Sequence, residues 1–197
     1  MIFAFLTTMR ALSLAQSSEE EPLLSRLRAG EPQALGEVYD RHHEAVRGFA
    51  RRLVGDPAIA EDLVHEVFVA LPRLVRRFEG QSSLRSFLSG VAINHARHYV
   101  RSASRRRAAV ERMGSEPMGA SPSPHDSAEQ RAFLQVLHRA LDTLPLDQRV
   151  AFVLCDVEER TSGEAAEIAG APEATMRTRL FHARKKLRAA LEKEGVR

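Results

Sequence analysis

Tryptophan is absent from this chain, cysteine occurs once, and aromatic residues fill only 6% of its 197 positions. A lone cysteine, Cys155, excludes an internal disulfide and a four-cysteine zinc site. Its flanks, AFVLCDV, mark it as a small core residue suited to a reducing compartment. The scarcity of aromatics fits small helical modules better than a large β-fold. No repeat of solenoid period appears. The apolar opening, MIFAFLTTMRALSLAQ, is well short of the ~20 residues that cross a bilayer. Arg10 interrupts it where a secretory signal carries its basic residues first, so secretion is not expected and the cytoplasm is. Residues 1–19 are read as a disordered or over-called start, with Met9 as the alternative first residue.

What the chain has in quantity is Ala, Leu, Arg and Glu, all strong helix formers. Hydrophobic residues reach 44%, enough for compact cores. The formal net charge is +3 and the pI about 9.5, with basic clusters late in the chain, a pattern that favours a polyanionic partner. Apolar residues at spacings of three and four predict helices opening at Leu23, Leu24 and Leu27, then from Pro32, from Pro57 and from Leu84 to about Tyr99. Gly55-Asp56-Pro57 reads as a stop followed by a capped start. Residues 113–127 (MGSEPMGASPSPHDS) are too rich in Gly, Pro and Ser to bury a core and read as linker. A second helical set is expected near 128–143, 145–157, 162–169 and 173–193. The fold class is therefore all-α: two small helical domains, 20–102 and 128–194, joined by a flexible linker over 103–127.

Three segments carry chemistry. Thr161 to Leu191 reads as a helix-turn-helix. Thr161 and Glu164 form a capping-box pattern, Gly170 suits the turn and Pro172 opens the second, more basic helix. Met176, Leu180 and Ala183 fall on its inner face. Glu173, Thr175, Arg177, Thr178, Arg179, His182 and Lys185 fall on the outer ones, where Arg and Lys draw phosphate and residues near the N-terminal end reach base edges. A solvated basic helix on an unrelated bundle would show the same pattern. Asp62 and Glu66 lie four apart on one helix face, which permits acid–base chemistry, metal binding, a solvated acidic face or a docking surface. In SFLSGVAINHARHYVRSASRRR, His95 and His98 stand three apart without a nearby cysteine or carboxylate anchor, so no metal is expected. Asn94, Arg97, His98 and Arg101, preceded by a polar loop with Phe78, suit single-stranded DNA, and a core helix with a basic tail is the plain alternative.

Taken in order, these segments resemble the extracytoplasmic-function (ECF) sigma factors of bacterial RNA polymerase. AEDLVHEVFVAL (60–71) is similar to the family's polymerase-binding segment. FEGQSSLRSFLSGVAINHARHYVR (78–101) is similar to its minus-ten reading and melting segment, and residues 141–191 to its minus-thirty-five reader. The resemblance implies that Asp62, Leu63, Glu66 and Phe68 lie on or beside the polymerase-docking surface. It implies that Asn94, Arg97, His98 and Arg101 face minus-ten DNA, and that Glu173, Thr175, Arg177, Thr178, Arg179, His182 and Lys185 serve the distal element. Phe87 stands where the family has Trp, His65 where Gln is common, and Ala174 and Met176 depart from the usual Gly and Val. Core RNA polymerase, promoter DNA and an anti-sigma factor are the implied partners. No small-molecule substrate, cofactor or enzymatic activity is implied. The rivals are a stand-alone helix-turn-helix regulator and a His/carboxylate metalloprotein using Asp62, His65, Glu66, His95 and His98.

Overall fold

The computed structural model describes residues 20–78, 80, 82–110 and 140–193, with side chains of 104–110 set aside. The expected start (1–19), most of the expected linker and the first part of the helix expected at 128–143 lie outside the described residues. No strand occurs among those described.

Helix α1 (20–28) buries Leu23, Leu24 and Leu27. Helix α2 (Pro32–Val54) opens with proline at its first position, where the missing N–H costs nothing, and ends at Gly55. Gly55 adopts φ 74, and its N–H donates to the Arg51 carbonyl. Asp56 then caps α3 (Pro57–Leu74), its carboxylate accepting from the Ala58 and Ile59 amides. Pro72 sits in the last turn of α3, followed by a short 3₁₀ turn, Val75–Arg77. Helix α4 runs from Leu84 to Val110. The boundary expected at 102 therefore falls inside a helix. The run SASRRRAAV holds no Gly or Pro, and its Ala and Arg extend the helix through the basic cluster. Phe49, Leu53, Leu71, Leu84, Leu88 and Ile93 are all but fully buried between these helices.

The second set is built from α5 (described over 140–142), two short helices, α6 (Leu146–Phe152) and α7 (Ser162–Ala169), and the long α8 (Glu173–Lys193). Residues Val153–Val157 widen into a π-helical turn, closed by the Glu158 amide on the Val153 carbonyl at 2.9 Å. Thr161 and Glu164 form the expected capping box. Gly170 ends α7 with φ 60, a left-handed conformation that a Cβ disfavours.

The two sets do not hang apart. Val150, Ala151, Val153, Leu154, Ala165, Ala166, Ala169 and Met176 join the same apolar cluster as the α1–α4 core. A second, smaller cluster holds Ala140, Leu141, Leu144, Ala183 and Leu187. Small residues let the sets approach closely: a Cβ added at Gly90 would stand 3.0 Å from the Ile168 carbonyl. Arg149, buried at 7% exposure, donates to the Leu53 carbonyl at 2.9 Å and pairs with Asp142 at 3.0 Å.

Candidate nucleic-acid interface

Among the exposed residues of α3, Asp62, His65, Glu66 and Val69 follow i, i+3, i+4, i+7 and so share one face. Leu63 and Phe68, expected at or beside a docking surface, point the other way and are buried at 4% and 5% exposure. The same periodicity that exposes Asp62 turns them inward. Val69, at 65% exposure, is the apolar member that was missed, and its position seven residues beyond Asp62 is the signal for it. Tyr39 is 39% exposed beside this face, stacked on His43 and edge-on to Phe68. Glu66 is not free: its carboxylate lies 2.8 Å from His95 Nδ1 on α4. Among the described residues, no three of His, Cys, Asp and Glu gather to hold a metal.

Between α3 and α4 lies a cavity of about 400 Å³. Phe87 and Val91 form its apolar wall, Asn94 and His98 offer polar atoms, and Arg73 and Arg77 stand at the end of α3. Asn94 and His98 are exposed, as a ligand-facing role requires. Arg73 and Arg77 were not picked out from the sequence, although their spacing of four places them on one face. Phe78, expected as a surface aromatic in the loop, is buried at 7% exposure. Its ring packs on Phe87 with centroids 4.7 Å apart, so Phe87 is the aromatic left to line the cavity. Arg101 folds back, its Nε donating to the Arg97 carbonyl at 3.1 Å.

Helix α8 presents a convex basic surface. Glu173, Arg177, Thr178, His182 and Lys185 are exposed and Thr175 is half-buried. Met176 is fully buried, so this departure from the family's usual Val acts on packing, not on a base. Ala174 is the departure that remains on the surface. Phe181, 65% exposed beside His182, is an apolar residue on the outer face that the charge pattern of α8 does not signal.

Two arginines expected to face DNA are turned elsewhere. Arg97 Nε donates to Asp147 Oδ1 at 3.0 Å, and its Nη1 donates to the Ala169 carbonyl at 2.9 Å. Arg179 Nη2 donates to the other oxygen of the same carboxylate at 2.8 Å. Asp147, on α6, thus bridges a residue of α4 and one of α8. Nearby, Glu158 holds Arg85 at 3.0 Å and Arg52 at 3.5 Å. A wider polar cleft of about 560 Å³ runs between Ser83, Ser86 and Phe87 on one side and Arg160, Glu164 and Glu167 on the other. At Cys155, burial first and Asp156 second push the thiol pKa up, which disfavours the reactive thiolate.

These two surfaces coincide with two family matches. Residues 38–106 match Sigma-70 region 2, and residues 134–187 match Sigma-70, region 4. The chain is 26% identical over 179 residues to the ECF RNA polymerase sigma-E factor of Haemophilus influenzae, covering 87% of this chain and 94% of that protein. The Escherichia coli K12 sigma-E factor is 26% identical over the same length, with 93% of it covered. The solved structure of the sigma factor RpoE in complex with the anti-sigma factor NepR from Bartonella quintana is similar at a TM-score of 0.65 and 26% identity, over 80% of this chain and 96% of that one. CnrH, solved with the cytosolic domain of CnrY, shares the fold at a TM-score of 0.63 and 23% identity, over 88% and 97%. The chain belongs to the sigma-70 family of transcription initiation factors, in its ECF group. It is a sigma factor, directing RNA polymerase to promoters.

Proposed function

We propose that this chain reads a promoter in two different ways. The cavity beneath Asn94 and His98 takes an unstacked minus-ten base against Phe87, with Arg73, Arg77 and Arg101 tracking the strand. Helix α8 lies in the major groove at the distal element, with Arg177, Thr178 and Arg179 toward base edges and Lys185 toward phosphate. Phe181 supplies an apolar contact of the kind a thymine methyl accepts. The face Asp62–His65–Glu66–Val69, with Tyr39 beside it, docks on core polymerase. The chain does no covalent chemistry of its own and acts in the cytoplasm, and an anti-sigma factor is its natural regulator. The observation that carries this reading is the pairing, in one chain, of a base-sized cavity on a basic helix with an exposed helix-turn-helix.

The arrangement described above is a closed one. Elements centred ten and thirty-five base pairs upstream stand about 85 Å apart at 3.4 Å per base pair. Arg97 and Arg179, meeting on one carboxylate, cannot serve both at once. Promoter binding therefore requires the two halves to separate, and the polymerase surface is what holds them apart.

Run-off transcription with core polymerase on genomic promoters tests the reading. Wild type should yield discrete promoter-dependent transcripts. Asp62→Lys should abolish co-purification with core enzyme while leaving the fold intact, and His98→Ala should lower opening while sparing the upstream footprint. Tight, polymerase-independent binding of a palindrome by a dimer would favour the stand-alone regulator instead.

A further inference from the structure

Helix α1 lies outside the segment that matches Sigma-70 region 2, and nothing so far gives it a task beyond burying three leucines. Its two polar ends reach the same loop. Arg28 Nη2 donates to the Phe78 carbonyl at 2.7 Å, and its Nη1 donates to Glu21 at 2.8 Å, which fixes the guanidinium. Glu20 Oε2 accepts from the Leu84 amide at 3.3 Å. Phe78 is the last residue before the loop and Leu84 the first of α4, so one helix ties down both ends of the connection.

Leu84 carries one of the four amides that a helix leaves without an internal partner. A carboxylate placed there also meets the positive end of the helix dipole. Ser83 takes a second orphan amide, its Oγ accepting from Ser86. His42 stands 3.6 Å from the other oxygen of Glu20, too long for a hydrogen bond. Burial first lowers its pKa, with Glu20 opposing, which favours the neutral ring. The consequence reaches the cavity through one stack: Arg28 holds Phe78, Phe78 packs on Phe87, and Phe87 is the cavity wall.

We propose that α1 is a brace for the base-capture cavity, with Glu20 and Arg28 as positioning residues that pin the two ends of the 78–84 loop and so set Phe87. The proposal rests on the reading of that cavity as the minus-ten base site. Without the brace, Phe78 and Phe87 must be fixed at the moment of strand capture, which costs conformational entropy and weakens that step alone.

The test uses holoenzyme assembled from the full chain and core polymerase, on a promoter carrying 2-aminopurine in its minus-ten element. Binding of a single-stranded non-template oligonucleotide is measured in parallel. Arg28→Met and Glu20→Ala should each weaken oligonucleotide capture and duplex opening about tenfold, the worth of one hydrogen bond to a charged group. Glu20→Gln, which keeps an acceptor for Leu84, should recover much of the loss. The upstream footprint and co-purification with core enzyme should stay at wild-type level. If Arg28→Met and Glu20→Ala match wild type while Asn94→Ala and His98→Ala reduce capture, the brace is wrong and the cavity reading survives. If all four match wild type, both are wrong. Loss of polymerase binding or of the upstream footprint together with capture would also overturn the brace, since α1 would then be holding the whole domain and not the loop.

Discussion

Region two and region four of this chain meet DNA with opposite shapes, and the difference follows from how each is packed. Region two stacks three long helices around large side chains such as Phe49, Leu71 and Leu88, and it can afford a concavity between α3 and α4. In the proposed reading, a single base is recognised there by enclosure. Region four sets two short helices, α6 and α7, against one long helix, α8. Its own cluster beside α8 is small, and Val153, Leu154, Ala165 and Met176 are buried in the cluster shared with region two. What it offers DNA is a convex helix. The lesson is that the half with a concavity between two long helices can enclose a target, whereas the half whose apolar cluster is continuous with its neighbour's presents an exposed edge.

The largest expected effect tests that dependence. Leu154 is 1% exposed inside the shared cluster. Leu154→Ala should lower stability by about 3 kcal/mol. In denaturant or by calorimetry it should shift one transition common to both halves. Two transitions, of which only one moves, would mean that region four carries its own core and that the contrast is false.

Arg179→Ala sharpens the convex side. It should weaken binding of the upstream duplex in holoenzyme by about 1–3 kcal/mol if the side chain reads a base, with relaxed specificity at one position. A loss spread evenly over sequences, with a shallower salt dependence, would reassign Arg179 to phosphate.

A smaller effect is expected at the charge that joins the halves. Asp147 holds both Arg97 and Arg179, yet its side chain is 39% exposed, so solvent screens each pair and each is worth well under 1 kcal/mol. Asp147→Asn should therefore raise the affinity of the isolated chain for upstream duplex by about fivefold at low salt, and less at high salt. Equal affinity for mutant and wild type at every salt concentration would show that Asp147 does not restrain the readers. Smallest are the local caps. Asp56→Ala and Thr161→Ala should each cost about 1 kcal/mol, one on each side of the comparison, by equilibrium unfolding. A much larger cost at Thr161 would mark α7 as a keystone of the interface and not simply a capped helix.

Much of this was legible beforehand. The starts at Pro32, Pro57 and Leu84, the stop at Gly55, the capping box at Thr161 and the turn at Gly170 stand where the sequence placed them, because proline, glycine and capping side chains act within a turn or two of their own position. The inner face of α8 was equally plain, and Met176 and Ala183 are buried as its spacing implied. Where α4 ends was not: the arginine cluster reads as a basic tail, while the helix continues through it to Val110. Leu63 and Phe68 were grouped with the acidic residues because they share a segment, although they do not share a face.

By itself the sequence determined the helices, their caps and the two modules that read DNA, since each of these rests on contacts between residues a few positions apart. Tertiary structure alone decided which charges are free and where a cavity opens. Asp147 lies 50 positions from Arg97 and 32 from Arg179, and Arg28 lies 50 from Phe78. No periodicity reaches across such distances. A helix face predicts that a side chain leaves the core, but only the packing of one helix on another selects the partner it finds there.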